Sequence, residues 1–290
     1  MSRVRLLNLN LPASKAKVFY RQAGQESAPV ILLLHGFPSS SHQYRNLIPI
    51  LAKKYRVLAP DLPGFGFTTV QEGFKYTFDS LAAVVSEFLD RLSVTRFSIY
   101  IFDYGAPTGL RLALQRPNAV QAIISQNGNA YYEGLGGAFW DQVRDLWNSN
   151  NDSKVRAKLA SGLLSFEATK WQYEEGTQSS GVIAPESYHL DYALLQRPGI
   201  ADAQLDLFWD YRTNLPLYPK FQEYFRQSNV PVLVAWGKND QIFVPPGAEA
   251  FKRDLPKAEV HLLDAGHFAV ETETEEMGSL IFDFLGRNGI

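Results

Sequence analysis

Six short apolar runs, none with a clean polar/apolar alternation, constrain this chain more than any other feature. They are PVILLLHG from Pro29, YRVLAPDL from Tyr55, RFSIYIFD from Arg96, VQAIISQN from Val120, PVLVAWGKND from Pro231 and AEVHLLDAGH from Ala258. A β-branched or apolar run without alternation reads as a strand buried on both faces, and such strands belong to parallel sheets covered by helices. The segments between them supply the cover, because residues 41–53, 77–92, 105–115, 247–254 and 271–285 carry helical patterning. The acidic cluster ETETEE opens the last of these, where negative charge suits a helix N-terminus. The expected class is therefore α/β, with a mostly parallel central sheet flanked by helices.

With 290 residues, 46% of them hydrophobic, the chain is long enough to bury one large core. A net charge of -2 and the lack of any Lys/Arg run leave no basic field for a phosphate backbone, so nucleic acid is not an expected partner. Zero cysteines exclude disulfides, thiolate catalysis and cysteine metal sites. No apolar stretch approaches the roughly 18 residues of a membrane span, and the N-terminus lacks a signal-type apolar region. The expectation is a soluble, cytoplasmic protein with no membrane partner.

Residues 130–216 break the strand–helix rhythm. They carry Trp140, Trp147, Trp171 and Trp209 and no long buried strand, which reads as a helical insertion after the sixth strand. The core then comprises residues 1–129 and 217–290, and the insertion forms a cap over the carboxyl ends of the strands, where ligands usually bind. Its aromatics either enclose an apolar pocket or form the insertion's own small core, and for most of them the second reading is favoured.

In Ser98-Ile-Tyr-Ile-Phe-Asp103-Tyr-Gly-Ala-Pro-Thr-Gly109 an acidic residue stands where an apolar strand ends, followed by small residues where a helix begins. A sharp strand-to-helix turn pushes its central side chain out above the sheet, and Asp103 occupies that position; the alternative is an N-cap for the following helix. Asp240 ends Trp236-Gly-Lys-Asn-Asp240 beyond the next-to-last strand, and His267 lies in Asp264-Ala-Gly-His267-Phe beyond the last. His35 shapes the loop after the first run, while His42, His189 and His261 default to surface or packing roles. No metal-ligand spacing is present, so no metal and no cofactor are expected. No G-x-S-x-G occurs, which argues against a serine nucleophile.

HGFPSSSHQYRNLIPILA, DLPGFGFT, FDYGAPTG, WGKND and DAGHF resemble the epoxide hydrolase and haloalkane dehalogenase branch of the α/β-hydrolases over nearly the whole chain except the insertion. The resemblance implies the α/β-hydrolase fold and a triad of Asp103 as nucleophile, Asp240 as acid and His267 as base. It further implies that the backbone N–H groups of Phe37 and Tyr104 form an oxyanion hole. A carboxylate nucleophile attacks a saturated carbon bearing a leaving group or a strained ring, giving an alkyl–enzyme ester that water then cleaves. The substrate class is a small apolar organic molecule, with water as co-substrate.

What separates the two reactions is assistance to the departing group. Related epoxide hydrolases usually offer two lid tyrosines, whereas related dehalogenases commonly offer a tryptophan after the nucleophile and a second Trp or Asn. Tyr104 follows the nucleophile here and Phe37 stands where many dehalogenases have Asn, and both count against a standard dehalogenase. Asp210-Tyr211-Arg212-Thr-Asn214 resembles the tyrosine-containing segment of epoxide hydrolases, making Tyr211 the first choice for a ring-opening donor; Tyr173, in WQYEEG, is the looser second. Ile101 and SSSHQYRNLIPIL look more like the dehalogenases. The reading that results is epoxide hydrolysis to a vicinal diol, with dehalogenation second. A ligand-binding or non-hydrolytic biosynthetic protein on the same fold is third.

Overall fold

The computed structural model describes residues 3–178 and 181–290. All six apolar runs form strands, and among the described residues the sheet contains β1 (Arg5–Leu11), β2 (Ala16–Ala23), β3 (Val30–Leu34), β4 (Arg56–Pro60), β5 (Thr69–Val70), β6 (Phe97–Phe102), β7 (Val120–Gln126), β8 (Val232–Gly237) and β9 (Glu259–Leu263). Their order is β1-β2-β4-β3-β6-β7-β8-β9, with β5 on the edge of β2. From β4 to β9 across the sheet every pairing is parallel. The N-terminal hairpin joins antiparallel and was not among the expected strands. Its signal differs: in RLLNLNL, Leu7 and Leu9 pack on the core while their neighbours face water, a half-buried alternation that the search for continuous apolar runs passes over.

Buried strands feed both faces of the sheet, since successive side chains point to opposite sides. In β3, Leu32 and Leu34 join a core with Phe78, Val85, Leu110, Phe221 and Phe251, while Ile31 and Leu33 join one with Leu47, Leu51, Met277 and Phe284. The helix Gly105–Gln115 keeps its expected bounds. The last expected helix is interrupted: Ala269–Thr272 ends at Glu273 and Thr274–Arg287 begins a new one, with Glu275 and Glu276 in its first turn. The side chain of Glu271, in the acidic cluster expected at a helix N-terminus, is buried against the two terminal guanidinium nitrogens of Arg45 at 2.7 and 2.9 Å.

Among the described residues, residues 130–216 hold five α-helices (Gly137–Asn148, Ser153–Leu163, Phe166–Glu174, Pro185–Leu195 and Ile200–Asp210), and a sixth, Tyr218–Ser228, leads into β8. This stretch follows the seventh strand in chain order, counting the N-terminal hairpin and the two-residue β5. Its aromatics divide. Trp147 donates to the Phe208 carbonyl within the segment and Trp171 is largely exposed. Trp140 instead reaches the loop after β8, donating to the Ile242 carbonyl at 2.8 Å, and its ring meets Tyr211 at 4.5 Å. No helix among the described residues is long and apolar enough to cross a membrane.

Candidate active site

β3 and β6 are neighbours although 62 residues of chain separate their ends at Leu34 and Phe97, and the loops at their carboxyl ends therefore face one another at a switch in strand order. Asp103 emerges from β6 with φ of 47°, in the left-handed region that L-residues enter at a cost. That turn leaves no room for bulk beside it. A Cβ on Gly105 would stand 2.2 Å from the Leu34 carbonyl oxygen, and one on Gly36 would stand 2.1 Å from Asp103 Oδ1. With glycine at both positions the β3 loop closes on the carboxylate, and the Phe37 N–H donates to Asp103 Oδ1 at 2.5 Å. His35, fully buried, fixes this loop by accepting from the Leu62 N–H at Nε2, 2.9 Å away.

β8 and β9 bring the other two residues together. Asp240 Oδ2 lies 2.7 Å from His267 Nδ1, and Asp240 Oδ1 accepts the Ile242 N–H at 2.7 Å. With Nδ1 bonded to the carboxylate, the free lone pair sits on Nε2, which is buried and has no protein partner. β7 lies between β6 and β8, and its end supplies residues that the sequence reading missed. Asn127, at φ of 47°, donates to Asp240 Oδ2 at 2.7 Å and accepts from the Gly237 N–H; Gln126 donates to the His267 carbonyl at 2.7 Å. The signal was the polar QNGN run ending an otherwise apolar strand.

Burial dominates the electrostatics. It raises the Asp103 carboxyl from 3.8 to about 6, against the opposing pull of His267 and of hydrogen bonds from the Tyr104 and Phe37 amides. Burial also disfavours a charged His267, but the Asp240 charge, its hydrogen bond and the Asp103 charge outweigh it, and the imidazole is held above its ordinary 6.5. A carboxylate ionisable near neutrality thus stands beside a basic imidazole with one open nitrogen.

The two tyrosines of the helical segment part company. Tyr211 is buried, its ring 5.9 Å from that of Tyr104, and its hydroxyl lies 3.3 Å from that of Tyr218. The Asp103 charge contributes to the upward shift of its phenol, behind burial and Tyr218. Tyr173 is also buried, but its hydroxyl donates to Asp191 and its ring stacks on Phe268 at 3.8 Å. Tyr218 and Asn129, whose amide donates to the Tyr218 hydroxyl at 3.4 Å, were not expected. No group of three or more His, Asp or Glu among the described residues is arranged to hold a metal ion.

Residues 29–274 match a family model described as alpha/beta hydrolase fold. An uncharacterized hydrolase of Saccharomyces cerevisiae is 47% identical over 273 residues, covering 94% of each protein. Haloalkane dehalogenase 2 of Mycobacterium tuberculosis is 35% identical over 115 residues, 40% of either chain. Among solved structures, an epoxide hydrolase of Vigna radiata superposes with a TM-score of 0.76 over 98% of both chains at 22% identity, a likeness of fold.

Proposed function

This chain belongs to the α/β-hydrolase family, and from that premise we propose that it opens epoxides to vicinal diols through an ester on Asp103. It is a hydrolase of that family; the substrate and the roles below are our reading. The observation that carries it is the pairing of a buried carboxylate nucleophile with a buried phenol, that of Tyr211, inside one aromatic enclosure. A phenol O–H protonates a departing alkoxide, a task that a halide does not require. Asp103 attacks one ring carbon, the carbon–oxygen bond breaks towards the oxygen, and that oxygen takes the phenol's proton. Water then attacks the ester carbonyl while His267 Nε2 accepts its proton, oriented by Asp240, and the Phe37 and Tyr104 amides hold the oxyanion. As the carboxylate re-forms and the diol leaves, the proton that this step releases replaces the one given by the phenol.

Residues 130–216 act in this reading as the cap that excludes water from the alkylation step, with Phe208 lying edge-on to Phe37 at 4.9 Å. Carbon–halogen cleavage is the second reading, favoured by the local 35% identity to a haloalkane dehalogenase. Turnover of purified protein on styrene oxide and on 1-bromobutane, followed as diol and as bromide, separates them. Diol without bromide is expected; bromide release without diol would reverse the order.

A further inference from the structure

A ring-opening site with one phenol leaves the alkoxide half-served, and Tyr173 does not complete it, because its hydroxyl is taken by Asp191. We infer that the second hydrogen-bond donor to the opening epoxide oxygen is the side-chain hydroxyl of Tyr104, the residue after the nucleophile, acting beside Tyr211; this rests on the epoxide reading above.

Three observations point to it. The Tyr104 hydroxyl is buried and has no hydrogen-bond partner. A phenol so placed is costly unless something fills the vacancy, and native interiors rarely leave one. Aromatic rings crowd its own: Phe78 at 5.1 Å, Tyr211 at 5.9 Å, Phe208 at 6.1 Å and Phe37 at 6.1 Å, centroid to centroid. No group of the protein within this enclosure satisfies the hydroxyl, which leaves a bound substrate oxygen as the natural acceptor. Finally, Tyr104 directly follows Asp103 in the chain and its ring adjoins that of Tyr211 at 5.9 Å, and the Asp103 charge adds to the upward shift of both phenols behind burial.

The arrangement differs chemically between the two. Tyr211 has a hydroxyl neighbour in Tyr218, which receives the Asn129 amide and can donate to the Tyr211 oxygen, so the phenolate left by proton transfer is hydrogen-bonded until the hydrolysis step returns a proton. Tyr104 has none, and donates a hydrogen bond that stabilises the developing alkoxide while Tyr211 transfers the proton. Atoms balance as in the mechanism above: one ring bond breaks, one ester bond forms, and one proton moves.

The test uses His267→Gln as background, in which the ester on Asp103 accumulates, and measures its formation from styrene oxide by rapid quench and intact mass. Adding Y104F should slow ester formation by roughly 10²-fold, the low end for loss of a positioned acid group. The same change in otherwise native enzyme should leave the melting temperature unchanged or higher, because an unpartnered buried hydroxyl is removed. Y104F that forms the ester at the H267Q rate would overturn the inference and leave the epoxide reading standing. No ester in H267Q alone would overturn both. A melting temperature lowered by Y104F would show that the hydroxyl has a structural partner and would likewise count against it; Y104L then serves as the second non-donor, expected to slow ester formation at least as much.

Discussion

Asp103 and Asp191 are both carboxylates sealed from water, yet the protein treats them in opposite ways. Asp103 sits on a strained turn with two backbone amides and an imidazole aimed at it, and this support brings a value that burial raises back to about 6. Asp191, on the helix Pro185–Leu195, has one oxygen against the Tyr173 phenol and the other against nothing. Burial pushes its carboxyl well above the usual range, and the nearby Glu271 pushes it further. Converging donors lower the cost of ionising a buried carboxyl, as the proposed nucleophile requires; without them burial favours the neutral acid. The same contrast separates the tyrosines: the Tyr173 hydroxyl is bonded to Asp191 and its ring stacks on Phe268, whereas the Tyr104 hydroxyl has no partner and its ring adjoins Tyr211.

The sharpest way to break this comparison is to remove each acid. Asp103→Ala should lower turnover at least about 10⁴-fold, as for other nucleophile deletions. Asp191→Asn, which retains an acceptor for Tyr173, should leave turnover within a few-fold, and comparable losses in steady-state rates would sink the distinction. His267→Gln should lower turnover by roughly 10³-fold or more while still being alkylated. Intact mass spectrometry after exposure to styrene oxide would reveal the adduct on Asp103, and an unmodified chain would contradict the role of base.

Acidity should separate the two chemical steps. Alkylation needs ionised Asp103, so its rate falls about tenfold per pH unit below about 6. Ester hydrolysis needs neutral His267, whose value lies above 6.5, so this step is lost first as pH falls. Between the two values native enzyme should accumulate adduct, and a single shared pH profile for both steps in single-turnover experiments would refute the assignment.

The smallest effects are on stability, and they should have opposite signs. The Asp103 carboxyl has a folded value above its unfolded one, so its ionised form penalises the fold at pH 7; the penalty shrinks as pH falls below about 6 and is gone only below the unfolded value of 3.8. Asp103→Asn should therefore raise stability by on the order of 1–3 kcal/mol. Tyr173→Phe removes the one phenol bonded to Asp191 and should lower it by about 1–2 kcal/mol. Denaturant melts of both variants at pH 7 would show whether the signs differ.

The six core strands, the helix after Asp103 and the positions of Asp103, Asp240 and His267 at strand ends were legible because burial on two faces and a tight turn impose local rules on residue type. The antiparallel hairpin escaped because its alternation is a weaker signal than a continuous apolar run. Asn127 escaped because its partners, Asp240 and the Gly237 amide, lie 110 or more residues away.

Local sequence therefore determined which residues end each strand, since a side chain at the carboxyl end of a buried strand has little freedom in where it stands. Strand order and long-range packing decided the rest. They brought the Phe37 amide to Asp103 across two neighbouring strands, gave Tyr173 to Asp191, and left the buried Tyr104 hydroxyl without a partner. A hydrogen-bond partner is a property of three-dimensional proximity, and fourteen tyrosines in a sequence do not reveal which of them has none.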